Sequence, residues 1–154
     1  MSEPTVLVVD DSRGERLLLR HALTDLRSGL DILEAADDQE ALALYQNRPV
    51  DLVFLDIRLP RRSGLEVLAD LLLLDPEAWV VMVSHFSSRE HVVRALRLGA
   101  RDFVVKPFNY RRLEAIFAAF AARAAKSGER FPLTAQPRRA LSTAAARPGP
   151  PRSA

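Results

Sequence analysis

The chain contains no cysteine. That excludes disulfide frameworks, thiolate metal sites and cysteine nucleophiles together. Lysine is nearly as scarce: of 22 basic residues, only Lys106 and Lys126 are not arginine. Long apolar runs are missing too. The longest, Ala115 to Ala122, is far short of the roughly 18–20 residues that a membrane span needs. The opening Met-Ser-Glu-Pro has no basic segment leading into an apolar one, so no secretory signal is expected and a cytoplasmic protein is the default. After the first apolar run the chain reads DDSRGE, without the glycine pattern that cradles nucleotide phosphates. That argues against a nucleotide or flavin binder.

What remains is a globular composition. The 154 residues are 48% hydrophobic and 27% charged, which fits one domain of ordinary size. Charge is uneven. Residues 127–154 hold five Arg and one Glu, a net of +4, so the first 126 residues carry −2 of the overall +2. The expected organisation is one domain over residues 1–126 and a flexible basic tail, rich in Pro, Ala and Arg, over residues 127–154, where no apolar periodicity appears. The arginines of that tail are spread out, so nucleic-acid binding is not expected of it.

The first 126 residues alternate strand and helix signals five times. Thr5–Val9 is an apolar run ending at Asp10-Asp11, and Ser12 with Glu15 three residues on has the form of a capping box. Leu17, Leu18, His21, Ala22 and Leu26 follow at helical spacing. Asp31–Ala35 reads as a second strand, and Asp38 as the cap of a helix carrying Ala41, Leu42 and Tyr45. Asp51–Leu55 is the third strand, running into Asp56; Ser63-Gly64 opens the third helix, with Gly64 serving the turn. Trp79–Val83 is the fourth strand, ending at Ser84, and Ser88 starts a helix closed by Gly99. Asp102–Val105 is the fifth strand, ending at Lys106-Pro107; Asn109 caps a helix whose Leu113, Ile116, Phe117 and Phe120 share a face. Apolar strands alternating with helices imply a parallel sheet covered on both faces. The predicted fold is α/β: a doubly wound five-stranded sheet of order 2-1-3-4-5, a flavodoxin-like three-layer sandwich.

In such folds the working residues sit at the carboxyl ends of the strands. Here those ends carry Asp10 and Asp11, Asp56, Ser84 and Lys106. Strands 1 and 3 are neighbours in this order, so three carboxylates converge. Carboxylates so crowded repel one another, and a hard divalent cation such as Mg²⁺ relieves the repulsion. With an ammonium from Lys106 and a hydroxyl from Ser84, the set suits a phosphoryl group in transfer. Asp56, at the centre, is the natural nucleophile.

The residues at these ends closely resemble those of the receiver domain of two-component response regulators. The matching stretches are VLVVDDS (Val6–Ser12), DLVFLDIRLP (Asp51–Pro60) with Ser63-Gly64, VVMVS (Val80–Ser84) and GARDFVVKPF (Gly99–Phe108), and the resemblance covers about residues 4–124. It implies Asp56 as phosphoacceptor and Mg²⁺ held by Asp11, by Asp10 through water, by Asp56 and by the backbone carbonyl of Arg58. It implies that Lys106 pairs with the phosphoryl group, that Ser84 reorients toward it while Phe103 swings inward, and that Lys106-Pro107 is a cis peptide. The phosphodonor would be a sensor histidine kinase or a histidine phosphotransfer protein. The output would be a face made by helix 4, strand 5 and helix 5 that binds a downstream protein or a second copy. The resemblance also implies that Arg58 and Phe86 flank the phosphoryl group and shape access for attacking water; neither side chain can orient that water, so slow self-hydrolysis is expected. The Ala-rich outer side of helix 5 (Ala115, Ala118, Ala119, Ala122) is the expected contact.

Two other readings compete. Aspartyl-nucleophile phosphohydrolases place a second carboxylate two residues after the nucleophile, where this chain has Arg58. A receiver-like binding module that is never phosphorylated would have no use for the full set of Asp10, Asp11, Ser84 and Lys106. Each residue also has a bland role: Asp10-Asp11 as a helix cap, Phe103 as plain core, Arg58 as a loop charge, and His85 as a cover for helix 4.

Overall fold

A computed structural model describes residues 3–85 and 88–126. It contains, in order, β1 (Thr5–Val9), α1 (Arg13–Leu26), β2 (Asp31–Ala35), α2 (Asp38–Asn47), β3 (Leu52–Asp56), α3 (Gly64–Leu74), β4 (Val80–Ser84), α4 (Arg89–Leu98), β5 (Asp102–Val105) and α5 (Tyr110–Lys126). All strand pairs are parallel, and the sheet order is β2-β1-β3-β4-β5. The three central strands are buried along their whole length. This is why they read as unbroken apolar runs. The edge strand β2 is half exposed, and its Glu34 is taken by Arg16 and Arg20 of α1 at 2.9 and 3.0 Å.

Two apolar layers flank the sheet. On one side Leu19, Ala22 and Leu23 of α1 and Leu113, Ile116 and Phe117 of α5 pack on Val6, Val8, Phe54, Val81 and Val104. On the other, α2, α3 and α4 contribute Ala41, Tyr45, Leu65, Leu68, Leu71 and Ala95 against Leu7, Val9, Val53, Leu55, Val80 and Met82. The sequence pattern placed the face of α5 correctly but not that of α1. There the buried stripe is Leu19, Ala22 and Leu23, while Leu17 and Leu18 are 48% and 65% exposed. Helix α1 is apolar on more sides than one, so spacing alone did not single out the buried one. Trp79 packs edge-on against Phe120, with ring centroids 5.5 Å apart.

Several boundaries move by one residue. Asp37, not Asp38, caps α2, accepting from the Glu40 amide at 2.8 Å; Asp38 is drawn to Arg61 instead. Strand β3 begins at Leu52 because the Asp51 carboxylate accepts from the Thr5 amide at 2.9 Å and ties the start of β1 to it. Strand β4 runs from Val80 to Ser84, one residue later than the sequence suggested. Ser12, Ser63 and Ser88 cap α1, α3 and α4. The Asn109 side chain accepts from the Arg112 amide at the start of α5. Gly99 closes α4 at φ 120°, a conformation that disfavours any side chain.

Gly64 opens α3 directly after the Ser63 cap, as expected, and has a second role there. Its amide donates to the Ile57 carbonyl at 2.6 Å, and a Cβ there would lie 2.0 Å from the Asp56 carbonyl oxygen. Glycine is required for close approach: it lets the first turn of α3 sit directly on the end of β3, beneath the functional site.

Candidate functional site

The sheet register assembles the site. Val9 pairs with Leu55, so the next residues along, Asp10 and Asp56, leave their strands side by side. Asp56 pairs with Val83, and Ser84 with Val105, which brings in Ser84 and then Lys106. Asp56 is the last residue of β3 rather than the first of the loop. Asp10, Asp56 and Ser84 are buried, and Asp11 is exposed. Asp10, Asp11 and Asp56 each bring a carboxylate oxygen to within 4.8 Å of the others. That donor set, all hard oxygen with one member open to solvent, fits a divalent cation that keeps part of its water.

Lys106 closes the site from the end of β5. Its amide donates to the Ser84 carbonyl at 2.9 Å, and the Lys106-Pro107 peptide is cis. Its side chain is 8% exposed, and its ammonium donates to Asp10 Oδ2 at 2.6 Å, to Asp56 Oδ2 at 3.2 Å and to Glu15 Oε1. Burial works against its charge, but the hydrogen bonds to Asp10 and Glu15 and the field of Asp56 outweigh it. The ammonium is held above its ordinary range. Asp56 shows the opposite balance. Burial pushes its carboxyl up, the Lys106 charge resists, the Asp10 charge reinforces, and the group ends above the usual carboxylate value.

Glu15 is the member of this cluster that sequence reasoning missed. Its place three residues after Ser12 suggested a capping box, and only half of one forms. Ser12 Oγ does accept from the Glu15 amide at 3.2 Å. The Ser12 amide, however, donates to Asp10 Oδ1 at 2.9 Å, which leaves the Glu15 carboxylate to turn toward Lys106 and His85. His85 Nε2 meets Glu15 Oε2 at 3.0 Å. Hydrogen bonds from His85 and from Lys106 hold the Glu15 carboxyl down at about 2. No local signal pointed to this, since both partners come from distant strands. His85, whose bland role was a cover for helix 4, reaches Glu15 of α1.

The remaining expected residues fall as follows. Arg58 is exposed at the mouth, its amide 3.3 Å from Asp56 Oδ1 and its backbone bridged to Ser63. Phe103 is buried in the layer formed by α2, α3 and α4, so in this structure its ring already lies inside. His91 bonds Ser88 through Nδ1 at 2.7 Å, and His21 is exposed. Phe86 and the tail over residues 127–154 lie outside the described residues. Among the described residues no helix is long and apolar enough to cross a membrane.

Residues 6–118 match the response regulator receiver domain family. This chain belongs to that family. Protein CcdB of Bacillus subtilis is 40% identical over 112 residues, a stretch covering 72% of this chain and 92% of that protein. The CheY-like receiver domain protein of Methanospirillum hungatei superposes with a TM-score of 0.74 at 30% identity, covering 81% of this chain and 99% of that one. The CheX–CheY–BeF3–Mg²⁺ complex of Borrelia burgdorferi matches with a TM-score of 0.68 at 31% identity, over 77% of this chain and 89% of the matched one. The receiver thus belongs to phosphorelay signalling, and its chemistry is that of a switch rather than of an enzyme turning over a substrate. Its acidic triad is able to hold a metal ion, and receivers act between kinases and target proteins.

Proposed function

We propose that Asp56 is the phosphoacceptor of this receiver. A carboxylate oxygen of Asp56 attacks the phosphorus of a phosphohistidine on a sensor histidine kinase or phosphotransfer protein. A P–O bond forms, the P–N bond breaks, and the imidazole leaves with its electron pair and takes up a proton. The observation that carries this reading is Lys106: a buried ammonium in contact with both Asp56 and Asp10, set to meet charge developing on the transferred group. Asp10, Asp11, Asp56 and the Arg58 carbonyl would hold Mg²⁺, which when bound offsets the negative charge of carboxylates and phosphoryl oxygens alike. A relative was solved with that ion. Ser84, buried at the end of β4, would turn its hydroxyl to the phosphoryl group, with the Phe103 ring, already inside, held there.

The downstream contact would lie on the face made by α4, β5 and α5. Val93, Leu96 and Val105 are 36%, 46% and 42% exposed there, and Ala115, Ala118, Ala119 and Ala122 line the outer side of α5, all exposed.

One labelling series tests the site. With acetyl phosphate and Mg²⁺, the wild-type chain is expected to gain a single acid-labile phosphoryl group, and Asp56→Asn none. An undiminished label in Asp56→Asn would refute the assignment. In the same series Arg58→Asn is expected to shorten the phosphoryl half-life several-fold, because an amide can orient attacking water where a guanidinium covers the mouth. An equal or longer half-life would remove Arg58 from that role.

A further inference from the structure

Lys106 has three protons to donate and three carboxylates to receive them. Two of those, Asp10 and Asp56, belong to the site itself. The third comes from α1, and its second oxygen is held by His85, the residue that follows Ser84. A chain of contacts therefore runs from the end of β5, through Lys106 and Glu15, to the segment that leaves β4. Lys106, Glu15 and His85 also line one cavity of about 380 Å³, so the lysine side chain has room to exchange one carboxylate for another.

From this geometry we infer that Glu15 and His85 form a latch on the unphosphorylated receiver, with Glu15 acting as a positioning residue. The carboxylate shares the Lys106 ammonium with Asp56 and Asp10, and the His85 ring ties the segment after β4 to α1, which restrains Ser84. Accepting a phosphoryl group requires both ties to loosen. Lys106 must turn to the new oxygens, and the Glu15 charge, if it stayed on Lys106, would face the incoming dianion. Glu15 is held ionised down to about pH 2, so the latch is charged throughout the neutral range. The inference rests on Asp56 as the acceptor.

The test uses the full chain with Glu15→Gln, His85→Ala and the double variant. Each single variant is expected to be labelled by acetyl phosphate about two- to fivefold faster than wild type, the size expected of a partly exposed ion pair. The double variant should be no faster than the quicker single one, because both break the same tie. Hydrogen exchange at the His85 and Ser88 amides of the unphosphorylated protein should rise in both single variants. A Glu15→Asp variant, too short to reach both partners, should behave as Glu15→Gln does. Unchanged or slower labelling, additive effects in the double variant, or a rate gain confined to Glu15→Gln would overturn the latch. The last result would leave only charge repulsion. The exchange measurement does not depend on labelling, so failure of the Asp56 assignment and failure of the latch give different results.

Discussion

Glu15 draws its two side-chain donors from 70 and 91 residues further along the chain. One residue thus serves a local and a distant purpose, its amide donating to the Ser12 cap of α1 and its carboxylate joining the site. The carboxyl lies well below its ordinary 4.5 because hydrogen bonds from His85 and Lys106 favour the ionised form. The sign follows. A carboxyl depressed by folding stabilises the fold above the unfolded value near 4.5 and loses that contribution as pH falls toward about 2. The side chain is 33% exposed, so solvent screens much of the effect, and about 1 kcal/mol or less is the reasonable size. Urea unfolding of wild type and Glu15→Gln should therefore differ by that amount at pH 7 and converge as pH falls to about 2. A difference that persists at pH 2 would mean the carboxylate contributes through packing rather than charge.

At the scale of elements, the contact of α3 with β3 sets the position of the nucleophile. Serine at position 63 caps the helix, and glycine at position 64 lets it seat on the strand end with no atom between. Gly64→Ala brings a methyl group to 2.0 Å from the Asp56 carbonyl, so either the helix or the strand end must move. Overpacking of this kind costs about 1–3 kcal/mol, and denaturant titration should show a loss in that range. Labelling of Asp56 should slow as well, because the carboxylate is carried by the backbone that moves. A Gly64→Ala protein with wild-type stability and labelling would show that the close approach relaxes freely. The caps and strand ends around the site were legible as short residue patterns. The reason for Gly64 was not, because a close approach between two backbones leaves no trace in the spacing of side chains.

For the molecule as a whole, residues 3–85 and 88–126 already contain the sheet, five helices and both apolar layers. Deleting residues 127–154 is therefore expected to leave melting temperature and Asp56 labelling unchanged. A fall of several degrees on truncation would show that the tail packs on the domain. In the truncated chain, Ala118→Glu should weaken binding of a downstream partner or self-association without touching the label. If binding persists, the contact lies off α5.

The sequence by itself determined the alternation of strands and helices, the sheet order and the residues at the strand ends. Each of these is written in short-range pattern: continuous apolar runs for strands buried on both faces, serine and asparagine before helices, charge where a strand leaves the core. Right-handed crossovers leave a handful of sheet orders for such a chain, and the receiver-like residues at its strand ends select 2-1-3-4-5 among them. Tertiary structure alone decided what those ends do to one another. The buried stripe of α1, the replacement of Asp38 by Asp37 at the cap of α2, and the recruitment of Glu15 and His85 to Lys106 all depend on residues tens of positions apart. The physical reason is competition for hydrogen-bond partners. The Ser12 amide goes to Asp10, the Glu15 carboxylate is released to Lys106, and only the packed sheet brings Lys106 near enough to take it.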